Sequence, residues 1–213
     1  MVKNEQISTE NKIEDLSKQQ WQLFIEGDKN AYSFLYLHYV QELYQYGCRF
    51  TDDSELVKDC IQDVFTQVYQ NHKHLSSPDN VKVYLMSALK NSLFNFFKKG
   101  QRFNVYSSHV SEDKPYDFDL SIEETIIENE TVKSRRKTLS HVLNDLPSRQ
   151  KEIIYYRFYE GLEYEEICEL MDLKYQSAYN LLQRALSELR EIYGASFMSL
   201  LLLSISLGAE STI

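Results

Sequence analysis

Apolar residues recur along much of this chain at intervals of three and four, the spacing that lines one side of an α-helix. From residue 21 to about residue 50 the series is Leu23, Phe24, Tyr32, Leu35, Tyr36, Tyr39, Leu43 and Tyr46, interrupted at Gly27-Asp28. A glycine followed by a capping acid divides that series into two helices. Asp52-Asp53-Ser54 offers side-chain acceptors for the start of a third helix, whose inward stripe is Val57, Ile61, Val64, Phe65 and Val68. Residues 72–80, with Ser76-Ser77-Pro78, read as a loop. A fourth helix is predicted over about 81–99, stopped by Gly100, with Leu85, Met86, Leu89, Leu93, Phe96 and Phe97 on its core side.

The period then fails. Residues 101–131 mix Ser, Asp, Glu and Lys around Pro115 and are strongly acidic over 112–130, which predicts a linker with a short helix near 122–128. Helical spacing resumes near residue 132 and runs to Leu146. Pro147 opens the next helix, predicted over 148–159 and ended by Gly161. The stretch YEEICELMDLKYQSAYNLLQRALSELR, residues 164–190, supplies two more helices with a break around 172–174. The expected organisation is a polar arm (1–20), a helical domain (21–100), an acidic linker (101–131), a second helical domain (132–193) and an apolar tail (194–213). The fold class is all-α: two small helical domains, the C-terminal one a helix-turn-helix.

Composition agrees with helices: only 6 Gly and 3 Pro occur in 213 residues. Cys48, Cys60 and Cys168 are too few and too scattered for a disulfide framework, so reduced thiols and a cytoplasmic setting are expected. The first twenty residues contain no apolar segment of the signal-peptide kind. The run FMSLLLLSISL at 197–207 falls short of the roughly 17–25 residues of a spanning helix. It reads as a final helix packing on its own domain, with docking to a partner or a membrane surface as the alternatives.

Charge changes the picture most. The formal net charge is -9, yet no acidic residue occurs between residues 81 and 102. The face of the fourth helix opposite its core stripe carries Tyr84, Ser87, Asn91, Phe94, Asn95 and Lys98, with Lys90 and Lys99 at its margins. Cations meet phosphates, aromatic faces accept unstacked bases, and amides read the edge of a flipped base. That combination suits single-stranded DNA; a solvated Lys/Asn face is the plainer reading. On the third helix Asp59, Gln62, Asp63 and Thr66 face outward, either as a solvated face or as a dock for a basic partner helix.

In the C-terminal unit Ile167 and Leu170 point inward from the supporting helix. Asp172 stands where the turn needs a left-handed backbone, and Leu173 is expected to plug the angle between the helices. On the last helix Ala178, Leu182, Ala185 and Leu189 face the core. Gln176, Ser177, Tyr179, Asn180, Gln183 and Arg184 face out, the early ones where a recognition helix reaches base edges. An αα-hairpin in a bundle is the bland alternative. Few cations flank this face and four glutamates precede it, so it should bind DNA poorly alone. No Gly-rich phosphate loop and no nucleophile–base arrangement is visible, which argues against an enzyme. His72 and His74 read as solvated rather than metal-bound, and no cofactor or small-molecule substrate is expected.

Taken in order, DCIQDVFTQVYQN, VYLMSALKNSLFNFFKK and LPSRQKEIIYYRFYEGLEYEEICELMDL resemble regions 2 and 4 of the bacterial sigma factors of the extracytoplasmic-function group. The likeness to region 2 covers 28–99 and that to region 4 covers 139–191. The resemblance implies a transcription initiation factor. Asp59, Gln62, Asp63 and Thr66 would dock on the clamp helices of the largest polymerase subunit. Asn80, Tyr84, Lys90, Asn91, Phe94, Lys98 and Lys99 would open the duplex and hold the minus-ten strand. Gln176, Ser177, Tyr179, Asn180, Gln183 and Arg184 would read the minus-thirty-five element. Core RNA polymerase, promoter DNA and an anti-sigma factor are the implied partners. The sequence departs from the family at Asp172, where the turn glycine is usual, and at Tyr179, Asn180 and Leu181, where a basic residue and a Ser–Arg pair are frequent. A stand-alone helix-turn-helix regulator and a helical adaptor that never touches DNA are the competing readings.

Overall fold

The structure, a computed structural model, describes residues 2–103 and 146–193. The chain divides into two compact units, Met1–Pro115 and Tyr116–Ile213. Every regular element among the described residues is helical. The expected linker over 104–131, the helix over 132–145 and the tail over 194–213 lie outside the described residues.

The N-terminal unit is built from α1 (Val2–Ile25), α2 (Lys29–Gly47), α3 (Ser54–Asn71) and α4 (Val81–Phe103). The breaks fall where local chemistry puts them. Gly27 takes φ 105°, and the Asp28 carboxylate then accepts from the backbone N–H groups of Asn30 and Ala31 at 2.7 and 3.4 Å. Asp53 caps α3 by accepting from the Leu56 N–H at 3.0 Å, and Asn80 caps α4 by accepting from the Val83 N–H at 3.1 Å. The loop before Asn80 opens with a single 3-10 turn, His72–His74.

Two boundaries differ from the sequence expectation. The first twenty residues are not an arm: α1 runs unbroken from Val2, because no Gly or Pro interrupts it before Gly27. Its inner face sets the fully buried Ser17 one turn before the buried Trp21, with Phe24 buried beyond it. Gly100 does not stop α4, which continues to Phe103. Glycine weakens a helix interior but removes no hydrogen bond from it. Three side chains of the predicted stripes lie at the surface: Phe96 is 53%, Tyr36 39% and Leu23 36% exposed.

The core of this unit forms where α2, α3 and α4 converge on Leu35, Leu43, Val57, Leu85, Leu89 and Leu93, all fully buried or nearly so. Gly47 closes the convergence. A Cβ there would stand 2.6 Å from the Val57 Cγ1 atom, on a β-branched side chain with no exposed surface. Cys60 is buried and Cys48 and Cys168 are half-buried, all three as free thiols; burial pushes the Cys60 thiol up.

The C-terminal unit contains α5 (Ser148–Ile154), a π-helical turn (Tyr155–Tyr159), α6 (Tyr164–Met171) and α7 (Tyr175–Tyr193). The single helix expected over 148–159 is therefore two segments, and the widened turn ends before Gly161, which takes φ 69°. Asp172 adopts φ 50°, ψ 54°, and the Leu173 N–H donates back to the Cys168 carbonyl at 3.0 Å, closing the end of α6. Leu173 is half-buried, and Ile167, Leu170, Met171 and Ala178 are buried beside it in the chain. Arg149 Nη2 donates to the Met171 carbonyl at 3.0 Å and ties α5 to the turn.

Gly47→Ala should lower the unfolding free energy by about 1–3 kcal/mol, the usual range for overpacking a filled core. Urea denaturation of the full chain measures it, with an unchanged midpoint as the contrary result.

Candidate nucleic-acid and partner interface

Three surfaces carry the expected residues. On α3, Asp59, Gln62, Asp63 and Thr66 are all exposed and share one side, since Val57, Cys60, Ile61, Val64, Phe65 and Val68 hold the other in the core. Nothing in the packing calls for carboxylates at those outward places. They form a free acidic strip.

The expected face of α4 is sorted by the structure into two groups. Asn91, Lys98 and Lys99 are exposed, and so is Asn95. Tyr84, Lys90 and Phe94 are half-buried. Tyr84 packs edge-on against Trp21 with ring centroids 5.1 Å apart, and burial pushes its phenol up. Phe94 leans edge-on against Phe50 at 5.9 Å, with the Lys90 ammonium 5.8 Å from its ring centre. Asn80 is committed through its side-chain oxygen to the start of α4. The sequence places these residues on the outer half of the helix correctly but does not reveal the neighbours that cover them. Trp21 and Phe50 come from other segments.

Between α3 and α4 lies a groove of about 470 Å³. It brings Asp63 from the acidic strip beside Asn91, Asn95 and Lys99 from the acid-free face, and adds Gln67 and Asn71 one and two turns beyond Asp63. Those last two were missed from sequence, although their i+4 and i+8 spacing from Asp63 signals the same side. Gln67, Asn71, Asn91 and Asn95 supply amides to a wall they share with apolar side chains such as Val64, Val68 and Phe96, and an amide can donate and accept without a fixed charge.

The loop at the foot of the groove is held by α1. The Trp21 indole N–H donates to the Ser76 carbonyl at 3.2 Å, and the Phe24 ring lies 5.6 Å from His72. Trp21 has no exposed surface, while Ser76 lies at the surface, so the bond pins an exposed loop to a buried ring.

In the C-terminal unit Gln176, Ser177, Tyr179, Asn180, Gln183 and Arg184 are all exposed along α7. Ala178, Leu182, Ala185 and Leu189 are buried opposite them. The side-chain amide of Gln176 donates to the Asn180 side-chain oxygen at 3.0 Å, and Arg184 Nε donates to the Asn180 carbonyl at 3.4 Å. Glu163 and Glu166 form a capping box at the start of α6, and Arg157 pairs with Glu163 at 3.0 Å. Two of the four carboxylates expected to weaken phosphate binding, Glu163 and Glu166, thus cap a helix N-terminus. No described helix is long and apolar enough to cross a membrane.

Known proteins resemble this chain over both of its units. The model for Sigma-70 region 2 matches residues 35–103, and that for Sigma-70, region 4 matches residues 136–189; together they span more than half of the chain. The RNA polymerase sigma factor YlaC of Bacillus subtilis is 25% identical over 164 residues, covering 74% of this chain and 88% of the relative. SigM of the same organism, an ECF RNA polymerase sigma factor, is 21% identical over 159 residues, covering 75% and 93%. Among solved structures, CnrH in complex with the cytosolic domain of CnrY matches with a TM-score of 0.53 at 14% identity, covering 84% of this chain and 97% of that one. The sigma factor RpoE in complex with the anti-sigma factor NepR from Bartonella quintana gives 0.54 at 18%, covering 75% and 94%.

Replacing Trp21 with Phe keeps the ring in the core and removes the indole donor to the loop. Backbone amides over 72–80 should then exchange with solvent several-fold faster, in line with a lost hydrogen bond of about 1 kcal/mol. Hydrogen exchange read by mass spectrometry checks this. Unchanged exchange over the loop would show that α1 does not hold it.

Proposed function

Because the chain belongs to the sigma-70 family of RNA polymerase sigma factors, in its extracytoplasmic-function group, we propose a division of labour between its surfaces. It directs core RNA polymerase to specific promoters and helps melt the minus-ten region. The acidic strip Asp59, Gln62, Asp63 and Thr66 docks on polymerase. The acid-free face of α4 takes the melted minus-ten strand. The outward face of α7 reads the minus-thirty-five duplex. One observation carries this reading: a face with free carboxylates and a face with none adjoin along one groove in a chain of net charge -9. A solvated surface gives no reason for that segregation; two partners of opposite charge do.

Side-chain exposure supports a finer assignment on α4. Asn91, Lys98 and Lys99, with Asn95, are the contacts open to a strand. Tyr84, Phe94 and Lys90 stand behind them, able to meet a base only at their exposed edges. Asn80 sets the start of the helix and so its register against the loop. Phosphates are met by few cations here, so affinity for DNA alone is low. Polymerase supplies the remaining grip, and tethering both units to one complex raises the effective concentration of each weak contact.

Catalysis belongs to the polymerase, and the chain acts in the cytoplasm, where that enzyme works. A sequestering anti-sigma protein is its other partner, by analogy with the RpoE–NepR complex. The stand-alone regulator is not favoured, since both sigma regions are present in one chain.

Asn91→Ala should leave promoter binding by the holoenzyme within about twofold while lowering permanganate reactivity of minus-ten thymines several-fold, as expected when a contact made only to the opened strand is lost. Equal reactivity would remove Asn91 from the opening step. Asp63→Lys should weaken association with core polymerase at least tenfold, since it sets like charges face to face across a docking surface. Unchanged co-migration with core would refute the docking assignment.

A further inference from the structure

At the open end of the helix-turn-helix, three tyrosines meet. Tyr175 and Tyr179 sit one turn apart at the start of α7 and are 53% and 43% exposed. The Tyr164 ring, from the start of α6, lies 5.2 Å from the first and 6.1 Å from the second. Arg157 covers Tyr164 with its guanidinium 5.4 Å from the ring centre and is itself paired with Glu163. The two exposed rings are therefore braced from behind. A braced tyrosine offers a broad apolar surface at little further loss of freedom.

The polar groups beside them are partly occupied. The Asn180 side-chain oxygen accepts from Gln176, and Arg184 is turned back to the Asn180 carbonyl. These bonds fix where the amides and the guanidinium point, so each meets a base edge only from that pose. The rings depend on no such bond. What they meet is also limited by charge. Glu163, Glu165 and Glu166 occupy the first turn of α6 beside Tyr164, so a phosphate is repelled there. In the major groove the one apolar group presented by a base edge is the thymine 5-methyl.

We propose that Tyr175 and Tyr179, braced by Tyr164, select the minus-thirty-five element by packing on thymine 5-methyl groups. This rests on the reading of α7 as the duplex-reading helix and goes beyond it by naming what is read. An element read this way is recognised through A·T pairs in one orientation, and guanine contributes little to it.

The test uses holoenzyme on a promoter obtained by selection, in which each thymine of the minus-thirty-five element is replaced in turn by deoxyuridine. That change removes only the methyl and keeps base pairing. At one or two positions run-off initiation should fall roughly fourfold, the worth of burying a single methyl-sized group. Tyr175→Ala or Tyr179→Ala should erase the difference between thymine and uracil, while Tyr→Phe at either place should keep it. The ratio on the unaltered protein decides even where an alanine variant does not fold. Equal initiation from all deoxyuridine promoters, with a scrambled element still inactive, would overturn the proposal and leave α7 as the reader. A uracil effect that persists in both alanine variants would also overturn it. If scrambling the element has no effect, the reading of α7 itself fails; the rings then face a protein instead.

Discussion

The surface chemistry of the N-terminal unit depends on one packing constraint, the locking of α4 against α2 and α3 through Leu85, Leu89 and Leu93. These three have no exposed surface and fall on one line of the helix. A rotation of α4 by one residue, about 100°, would bury lysine and asparagine and expose leucine, at a cost of several kcal/mol. The register is therefore fixed. The acid-free side has to face outward, next to α3, whose own stripe points its carboxylates the same way. The groove is the geometric result of two amphipathic helices obeying the same rule with opposite outer chemistry.

The C-terminal unit rests on a smaller constraint of the same kind. Asp172 in the left-handed region turns the chain in a single residue, and the buried Ala178 allows the close approach of α6 and α7. The outward face of α7 is then presented as a block. Its cations are few, and its polar side chains are partly bonded to one another. A reader built this way discriminates weakly by itself and gains by being held in place. That agrees with a factor whose net charge keeps it off bulk DNA until polymerase, carrying much of the positive surface, brings it to a promoter.

Much of this was legible in the sequence because it follows from periodicity and capping. The α2–α3–α4 stripes, the Asp28 and Asp53 caps, the outward acids of α3 and the left-handed Asp172 need only local rules. What was not legible depends on contacts between distant segments. Tyr84 looked like a free aromatic until Trp21, 63 positions earlier, covered one edge. Phe94 looked ready to stack on a base, yet Phe50 engages it. Phe96 fitted the core stripe by angle, but its part of the helix lines the open groove. The first half of α1 was hidden because Ser17, a polar residue, is buried one turn before Trp21 and so breaks the apolar period there. The amide groove was missed for a related reason: Gln67 and Asn71 carry no charge, so a reading led by charge passes over them.

The central claim is that promoter recognition by this chain arises only in company with core polymerase. DNase I footprinting with parallel permanganate probing on one duplex promoter fragment, with the protein alone, core alone and both together at physiological salt, measures it directly. The account requires protection and a melted minus-ten segment with both components and neither with the chain alone at the same concentration. A defined footprint from the chain alone, undiminished when core is left out, would contradict it.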